Sequence, residues 1–243
     1  MNENIFREYD IRGIVERDFP DDVVSNIGRA YGTILKRNNQ NNISVSGDIR
    51  FTTNKLKESL ISGLLDVGIN VYDMGVLPTP VNYFSLYHTD IKNSIQVTGS
   101  HNPKEYNGFK ISFNKKPFFG RDIQKLKNII ESNSYSKVLN KGKYAKIDVL
   151  DDYINMIKSN ISIKSDINCI MDCGNSVGGL VAPQIFKELS QSQQSKVMIQ
   201  VKENCMQALK ELSHVMQFLP KKQTSEILTS NQFEYFMRLV QDF

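Results

Sequence analysis

Cysteine, net charge and long apolar runs are all scarce in this sequence of 243 residues, and each scarcity excludes a class of protein. Only Cys169, Cys173 and Cys205 carry thiols. With no Cys-x-x-Cys pair and no His-x-x-x-His, a structural zinc site is not expected. The simple reading is buried, reduced thiols, which sets a cytoplasmic location as the expectation. Against 26 Asp and Glu stand 30 Lys and Arg, a formal charge of +4. That is too mild to argue for nucleic acid, and the basic residues form no long cluster. No apolar run reaches the ~18 residues of a membrane span. The first residues, MNENIFREYDIRG, show no basic stretch followed by an apolar one, so no signal peptide is expected. What is present is ordinary: 40% apolar and 23% charged residues, a composition that excludes collagen-like and wholly disordered chains. The length suggests one or two domains.

Helical and strand patterns alternate through the first half. Val23, Val24, Ile27, Tyr31, Ile34 and Leu35 line one face of a helix over 21–37. Ile43 to Gly47 reads as a strand. Thr52 or Thr53 can cap a helix with Leu56, Leu60, Leu64 and Leu65 on its apolar face, stopped by Gly68. Asn70 to Met74 is a second strand, Thr79-Pro80 opens a short helix to Tyr87, and Ser94 to Thr98 is a third strand. Phe109 to Phe113 alternates as a fourth, followed by a helix over 120–132. This order predicts an α/β layered domain with a largely parallel sheet. Ligands of such sheets gather outside the carboxyl ends of strands, which directs attention to the loop after the third strand. The polar stretch 132–146 reads as a linker. A helix over 148–160, a strand at 167–172, a glycine turn and a helix to Leu189 then suggest a partial second α/β domain with a single strand. The expected divisions are 1–146, 147–190 and 191–243.

Composition changes beyond residue 190. All 14 glycines lie at or before Gly179, and nine of the 13 glutamines fall in 191–243. Met198, Val201, Cys205, Ala208, Leu212, Val215 and Leu219 recur at spacings of three and four. Pro220 interrupts, and Phe233, Phe236, Val240 and Phe243 resume. This predicts a C-terminal helical hairpin of different origin, whose stripe must pack against the unfinished domain, a partner helix or a second copy through residues 196–243.

The chemistry-bearing segment is Thr98-Gly99-Ser100-His101-Asn102-Pro103. Gly99 permits a sharp bend and Pro103 fixes the exit, so Ser100 is expected on a rigid, exposed turn. A serine is a weak nucleophile without a base, a metal or an activated group already attached. His101 is its neighbour in sequence, and such neighbours rarely share a productive line to one oxygen. No nearby acid orients that histidine, and no Gly-x-Ser-x-Gly elbow is present, which speaks against a hydrolase triad. Asn107-Gly108-Phe109-Lys110 places a lysine early in a strand. Phe6-Arg7-Glu8-Tyr9-Asp10-Ile11-Arg12-Gly13 is a dense polar and aromatic run that suits a guanidinium offered from a turn. Arg12 and Lys110 around Ser100 would make an anion site, most simply for phosphate, although a solvated Arg and a snorkelling Lys remain the plain alternative.

FREYDIRG, TGSHNP and NGFK, in that order and spacing, resemble the α-D-phosphohexomutases, and most resemble the bacterial phosphomannomutase/phosphoglucomutase branch. Gly47-Asp48-Ile49-Arg50, Gly75-Val76-Leu77-Pro78-Thr79-Pro80 and Asp172-Cys173-Gly174-Asn175-Ser176-Val177-Gly178-Gly179 extend the likeness over residues 1 to about 190. TGSHNP favours the mannose and glucose branch over the glucosamine branch. The resemblance implies a layered α/β/α phosphohexomutase domain I. It implies that hexose 6-phosphate and hexose 1-phosphate interconvert through a phosphoserine and a hexose bisphosphate. Ser100 is then the phosphoryl carrier and, through its phosphate, a ligand of Mg²⁺. Arg12 and Lys110 are the flanking cations, Tyr9 a substrate-binding neighbour and His101 a proton-transfer residue. Asp48 and Arg50 are expected to be structural, and Gly174 and Asn175 to make a helix-opening turn.

The sequence also departs from that family. The family's magnesium-binding DGDGDR loop has no counterpart here, and Asp151-Asp152 has the wrong spacing to replace it. The GEMSGH-type sugar loop and the distal phosphate clamp are missing as well. The expectation is therefore a phosphohexomutase by family that is inactive alone. The alternatives are a non-catalytic scaffold or interaction module, or one half of a split enzyme. The loop that would separate mannose from glucose is among those missing.

Overall fold

The structure is a computed structural model, and it describes residues 2–163, 167–173, 176–192 and 197–201. After a single 3-10 turn (Glu3–Ile5) come β1 (Ile11–Ile14), α1 (Val15–Asp18), α2 (Asp21–Arg37), β2 (Asn42–Gly47), α3 (Thr53–Asp66), β3 (Asn70–Val76) and α4 (Thr79–His88). Next follow β4 (Ser94–Val97), β5 (Tyr106–Phe113), β6 (Lys116–Pro117), α5 (Arg121–Glu131) and β7 (Tyr144–Lys146). A second unit holds α6 (Leu150–Asn160), β8 (Ile167–Met171), a 3-10 turn (Val177–Leu180), α7 (Ala182–Ser192) and β9 (Val197–Val201). Among the described residues no helix is long and apolar enough to cross a membrane.

The first unit is built on one seven-stranded sheet in the order β1-β5-β4-β2-β3-β7, with β6 beside β5. The expectation of a largely parallel sheet needs correction. β4, β2, β3 and β7 run parallel, but β1, β5 and β4 alternate in direction. The loop from β4 to β5, residues 98–105, is too short for the crossover of roughly a dozen residues that a parallel return needs, so β5 must turn back on β4.

Alternation along each strand separates two faces. One face sends Ile11, Ile43, Val45, Val71, Ile95, Val97 and Phe109 into a buried core with the apolar stripes of α2, α3 and α5. Each large side chain so buried contributes roughly 1.5–3 kcal/mol before entropy. α2 and α3 meet at Gly63, where a Cβ would lie 1.9 Å from the Ser25 carbonyl oxygen. Only a residue without a side chain permits that approach. Gly68 ends α3 at φ +76°, as the stop signal predicts.

α4 covers the other face, and the contact is polar. Ser44, Ser46, Ser94 and Gln96 from the strands and Asn82 and Ser85 from α4 are all buried. Asn82 Nδ2 donates to Ser46 Oγ at 2.7 Å, Ser94 Oγ to Asn82 Oδ1 at 2.7 Å, and Gln96 Nε2 to the Leu77 carbonyl at 2.8 Å. Every member has a partner, which a buried polar layer requires.

The stretch read as a linker is tied down. Its last residues form β7, parallel to β3. Arg37 donates to the Ser134 carbonyl, the Ser136 amide to Thr33 Oγ1 and the Lys143 amide to Asn70 Oδ1. β7 is exposed on every side chain, so hydropathy carried no signal of it. Backbone pairing holds it, together with the Tyr144 hydroxyl, which donates to Asp73 at 3.0 Å.

The second unit also has one strand more than expected. β9 pairs parallel with β8, from Ile167 opposite Val197 to Met171 opposite Val201. Met198 and Val201, the first two residues of the anticipated helical stripe, therefore lie in a strand. Val197, Ile199 and Val201 also alternate and are β-branched, and over so short a run periods of 2 and 3.6 cannot be separated. The rest of the anticipated hairpin, and Gly174 and Asn175, fall outside the described residues. Val149 and Val181 of this unit pack on Met74, Leu77 and Val81 of the first. His88 of α4 meets Asp152 of α6 at 2.9 Å.

Candidate active site

The carboxyl ends of β2 and β4 lie side by side, and their loops build one structure. The Asp48 amide donates to the Val97 carbonyl at 2.9 Å, which places the Asp48 carboxylate under the turn that carries Ser100. Oδ2 of Asp48 accepts from Thr98 Oγ1 at 2.8 Å and from the Gly99 amide at 3.1 Å. Oδ1 accepts from Thr53 Oγ1 at 2.5 Å and from the Arg50 amide at 3.0 Å. Neither Thr52 nor Thr53 caps α3 with its hydroxyl. Instead Thr53 serves Asp48, and both threonine hydroxyls accept from Asn107 Nδ2.

Ser100 stands on this base in the left-handed region, with φ +54°. For a residue other than glycine that conformation costs about 1–3 kcal/mol and persists only where the surroundings impose it. The Ser100 amide donates to Thr98 Oγ1 at 3.0 Å, and both the amide and the side chain of Asn102 donate to the Gly99 carbonyl. Ser100 is exposed at the tip, and its Oγ lies 3.2 Å from Nδ1 of His101. The two neighbours thus do share a line, contrary to the reading from sequence. The rigid left-handed bend, which sequence spacing does not encode, puts the ring beside the hydroxyl. Among the described residues no acid is bonded to His101.

The cationic pair sits on the antiparallel half of the sheet. β1 places Arg12 opposite Gly108 of β5, two residues before Lys110 on the same face. A Cβ on Gly108 would lie 2.2 Å from the Ile11 carbonyl oxygen, so the strands meet here only because that position is bare. Asp10 joins the pair: Arg12 Nη2 bonds its Oδ2, and Lys110 Nζ lies 3.7 Å from the same oxygen. Arg12 Nε is buried without a partner. Tyr9 is 76% exposed and stacks on Phe119 with ring centroids 6.2 Å apart.

The structure therefore joins Ser100 with His101, and Arg12 with Lys110 through Asp10. No hydrogen bond or ion pair links these two groups, or Tyr9 to either, among the described residues. Sequence reasoning missed Asp10 as the shared counterion, although DIRG carries it beside Arg12. Asp48 and Arg50, expected to be structural, both bond the loop that carries Ser100.

A magnesium cage does not fit these donors. No three His, Cys, Asp or Glu side chains converge among the described residues. The Asp48 oxygens are taken by hydroxyl and amide donors, and Asp10 by two cations. The Ser100 hydroxyl alone is short of the oxygens that magnesium takes.

Residues 3–137 match the family described as phosphoglucomutase/phosphomannomutase, alpha/beta/alpha domain I. A phosphomannomutase/phosphoglucomutase of Pseudomonas syringae is 38% identical over 189 residues, 78% of this chain and 40% of that protein. A phosphoglucomutase of Neisseria meningitidis is 34% identical over 76% of this chain and 40% of its own length. The crystal structure of a phosphoglucomutase/phosphomannomutase family protein from Burkholderia thailandensis superposes with a TM-score of 0.75 at 32% identity. That match covers 82% of this chain and 44% of the other. The chain spans about 40% of the length of the curated relatives it matches.

Proposed function

The chain belongs to the phosphoglucomutase/phosphomannomutase family, and from that premise we propose that Ser100 carries the phosphoryl group of a hexose phosphomutase reaction. The observation that carries the reading is the exposed serine on an imposed left-handed bend, with an imidazole nitrogen 3.2 Å from its hydroxyl. Loading from a hexose bisphosphate forms the Oγ–P bond as a sugar O–P bond breaks. The serine proton leaves to His101 Nδ1, and the sugar oxygen gains a proton in its place. In the return step a 6- or 1-hydroxyl of a hexose phosphate attacks phosphorus and gives up its proton to solvent, Oγ–P breaks, and Oγ takes back the proton held by His101. Arg12 and Lys110 draw the phosphoryl oxygens toward the serine, and Tyr9 borders the sugar. Positioning and charge do most of the work in such transfers.

The family's Mg²⁺ would supply further charge neutralisation, but the donors here do not fit it and no step is routed through it. The same reading has the isolated chain taking phosphate without completing turnover, since the sequence carries no DGDGDR loop. It also sets a domain limit at 146/147; the limit expected at 190/191 is not kept, because α7 runs to Ser192 and β9 pairs with β8. The test uses α-D-glucose 1,6-bisphosphate labelled with ³²P, followed by peptide mapping. Label is expected on Ser100 alone and absent from Ser100→Ala. Label elsewhere that survives Ser100→Ala would overturn the assignment.

A further inference from the structure

The Arg50 guanidinium has five N–H donors in a planar fork; the four on its two Nη atoms donate to carbonyls around the serine turn, and its Nε side pairs with a carboxylate. Nε faces Asp48 Oδ2 at 3.4 Å. Nη1 donates to the carbonyls of Pro103 at 2.7 Å and Tyr106 at 3.1 Å. Nη2 donates to the carbonyls of Asn102 at 2.6 Å and Ser100 itself at 3.2 Å. The flat group lies against Gly99, where a Cβ would come within 2.4 Å of Cζ. Arg50 thus occupies the place of a Gly99 side chain, with the Tyr106 carbonyl oxygen 2.8 Å from the same point.

We propose that Arg50 is a positioning residue for phosphoryl transfer, fixing the Ser100 turn through four of its carbonyls. The proposal rests on the reading of Ser100 as phosphoryl carrier. Two physical consequences separate Arg50 from the other cations. First, all four Nη donors are committed to carbonyls, so Arg50 cannot turn its fork to grip a phosphate without releasing the loop; Arg12 and Lys110 keep that task. Second, four carbonyl oxygens drawn toward a cation beneath the turn are neutralised there. A phosphorylated Ser100 then does not face a ring of unpaired carbonyl dipoles. A lysine cannot replace this fork, because three donors on one nitrogen cannot reach five acceptors spread over residues 48–106.

The experiment compares the full chain with Arg50→Lys, Arg50→Ala and Gly99→Ala, the last crowding both the guanidinium and the Tyr106 carbonyl, so that the two Arg50 variants decide the proposal. Single-turnover phosphorylation of Ser100 by α-D-glucose 1,6-bisphosphate gives a rate at saturation and a half-saturating concentration. All three variants are expected to lose tenfold or more in rate with less than a threefold change in half-saturation. Guanidinium added to Arg50→Ala is expected to restore part of the rate. Full-rate transfer in Arg50→Lys, or a loss confined to half-saturation, would overturn the proposal, the second by making Arg50 a phosphate ligand. Amide hydrogen exchange at Gly99 and Ser100 is read in the same proteins and needs no phosphate. Faster exchange in Arg50→Lys supports the role, and unchanged protection overturns it. A parent chain that takes no phosphate overturns the reading of Ser100 instead, and the exchange result still decides whether Arg50 holds the turn.

Discussion

Replacing Asp48 with asparagine tests the base of the serine turn most directly. Asp48 is 8% exposed and accepts four hydrogen bonds, two on each oxygen. Asparagine has the same size but offers one acceptor oxygen and, in place of the other, an NH₂ group that donates. Whichever way the amide turns, two donors lose their acceptor and face an N–H: either Thr98 Oγ1 and the Gly99 amide, or Thr53 Oγ1 and the Arg50 amide. A buried donor left unpaired costs about 1–3 kcal/mol. The hydroxyls can rotate away and the amides cannot, so the expected loss is about 2–4 kcal/mol rather than the full sum. For a domain of this size each kcal/mol lowers Tm by roughly 2–4 °C, which predicts a fall on the order of 5–15 °C. Circular dichroism melting measures it, and phosphorylation of Ser100 in the same protein reads the turn. A melting temperature within about a degree of the parent would refute the assignment of these bonds. So would a lowered Tm with Ser100 loaded at the parent rate.

Three further outcomes follow from the same geometry. Asp18 is buried at the foot of β1, where the Arg17 guanidinium first, then Asn2 and the Ile14 amide, hold its carboxyl well below the usual carboxylate range. Its stabilising effect is complete above the unfolded value of ~3.9 and is lost as pH falls through the folded value, so Asp18→Asn should flatten the acid arm of a stability curve below about pH 4. Asp10→Asn removes the counterion that Arg12 and Lys110 share and should lower the half-saturating concentration of bisphosphate for Ser100 several-fold, read by the labelling assay; an unchanged value would show that Asp10 does not offset their charge. Truncation after Ser192 removes β9 and bares the edge of β8, so it should aggregate more readily in light scattering than truncation after Val201, which keeps the pair.

The helical core was legible because α2, α3 and α5 each expose one continuous apolar stripe, and Val24, Ile27, Leu60 and Ile123 are fully buried where those stripes place them. The strands were legible for the same reason on one side only. On the other side Ser44, Ser46, Ser94 and Gln96 carry no apolar signal. They are buried because α4 brings Asn82 and Ser85 to meet them, and hydropathy cannot register a polar face satisfied by another polar face. β7 and β9 escaped notice for opposite reasons. Tyr144–Lys146 is exposed and has no apolar pattern to read, while Val197–Val201 is apolar at four of its five positions and fits both periods.

The site was legible in its parts and not in its connections. Ser100, His101, Arg12 and Lys110 are residue types that suit phosphoryl chemistry, and motif spacing named them as candidates. What spacing cannot carry is which charge is already spent. Arg50, Arg12 and Lys110 are three cations that the motifs name alike, yet Arg50 has given its four Nη donors to the loop and pairs with Asp48. Arg12 and Lys110 share one carboxylate, so with Asp10 they present a net charge of +1. A phosphoserine brings about −1.5 to −2 at neutral pH. The trio therefore attracts a phosphoryl group without fully neutralising it. On the proposed reading this imbalance has a use, because a carrier must also let go: a cluster that matched the phosphoryl charge in full would stabilise the loaded serine and slow its return to the sugar. Asp10 is the residue that sets the imbalance, and its carboxylate, bonded to Arg12 and close to Lys110, keeps both cations placed while reducing what they offer.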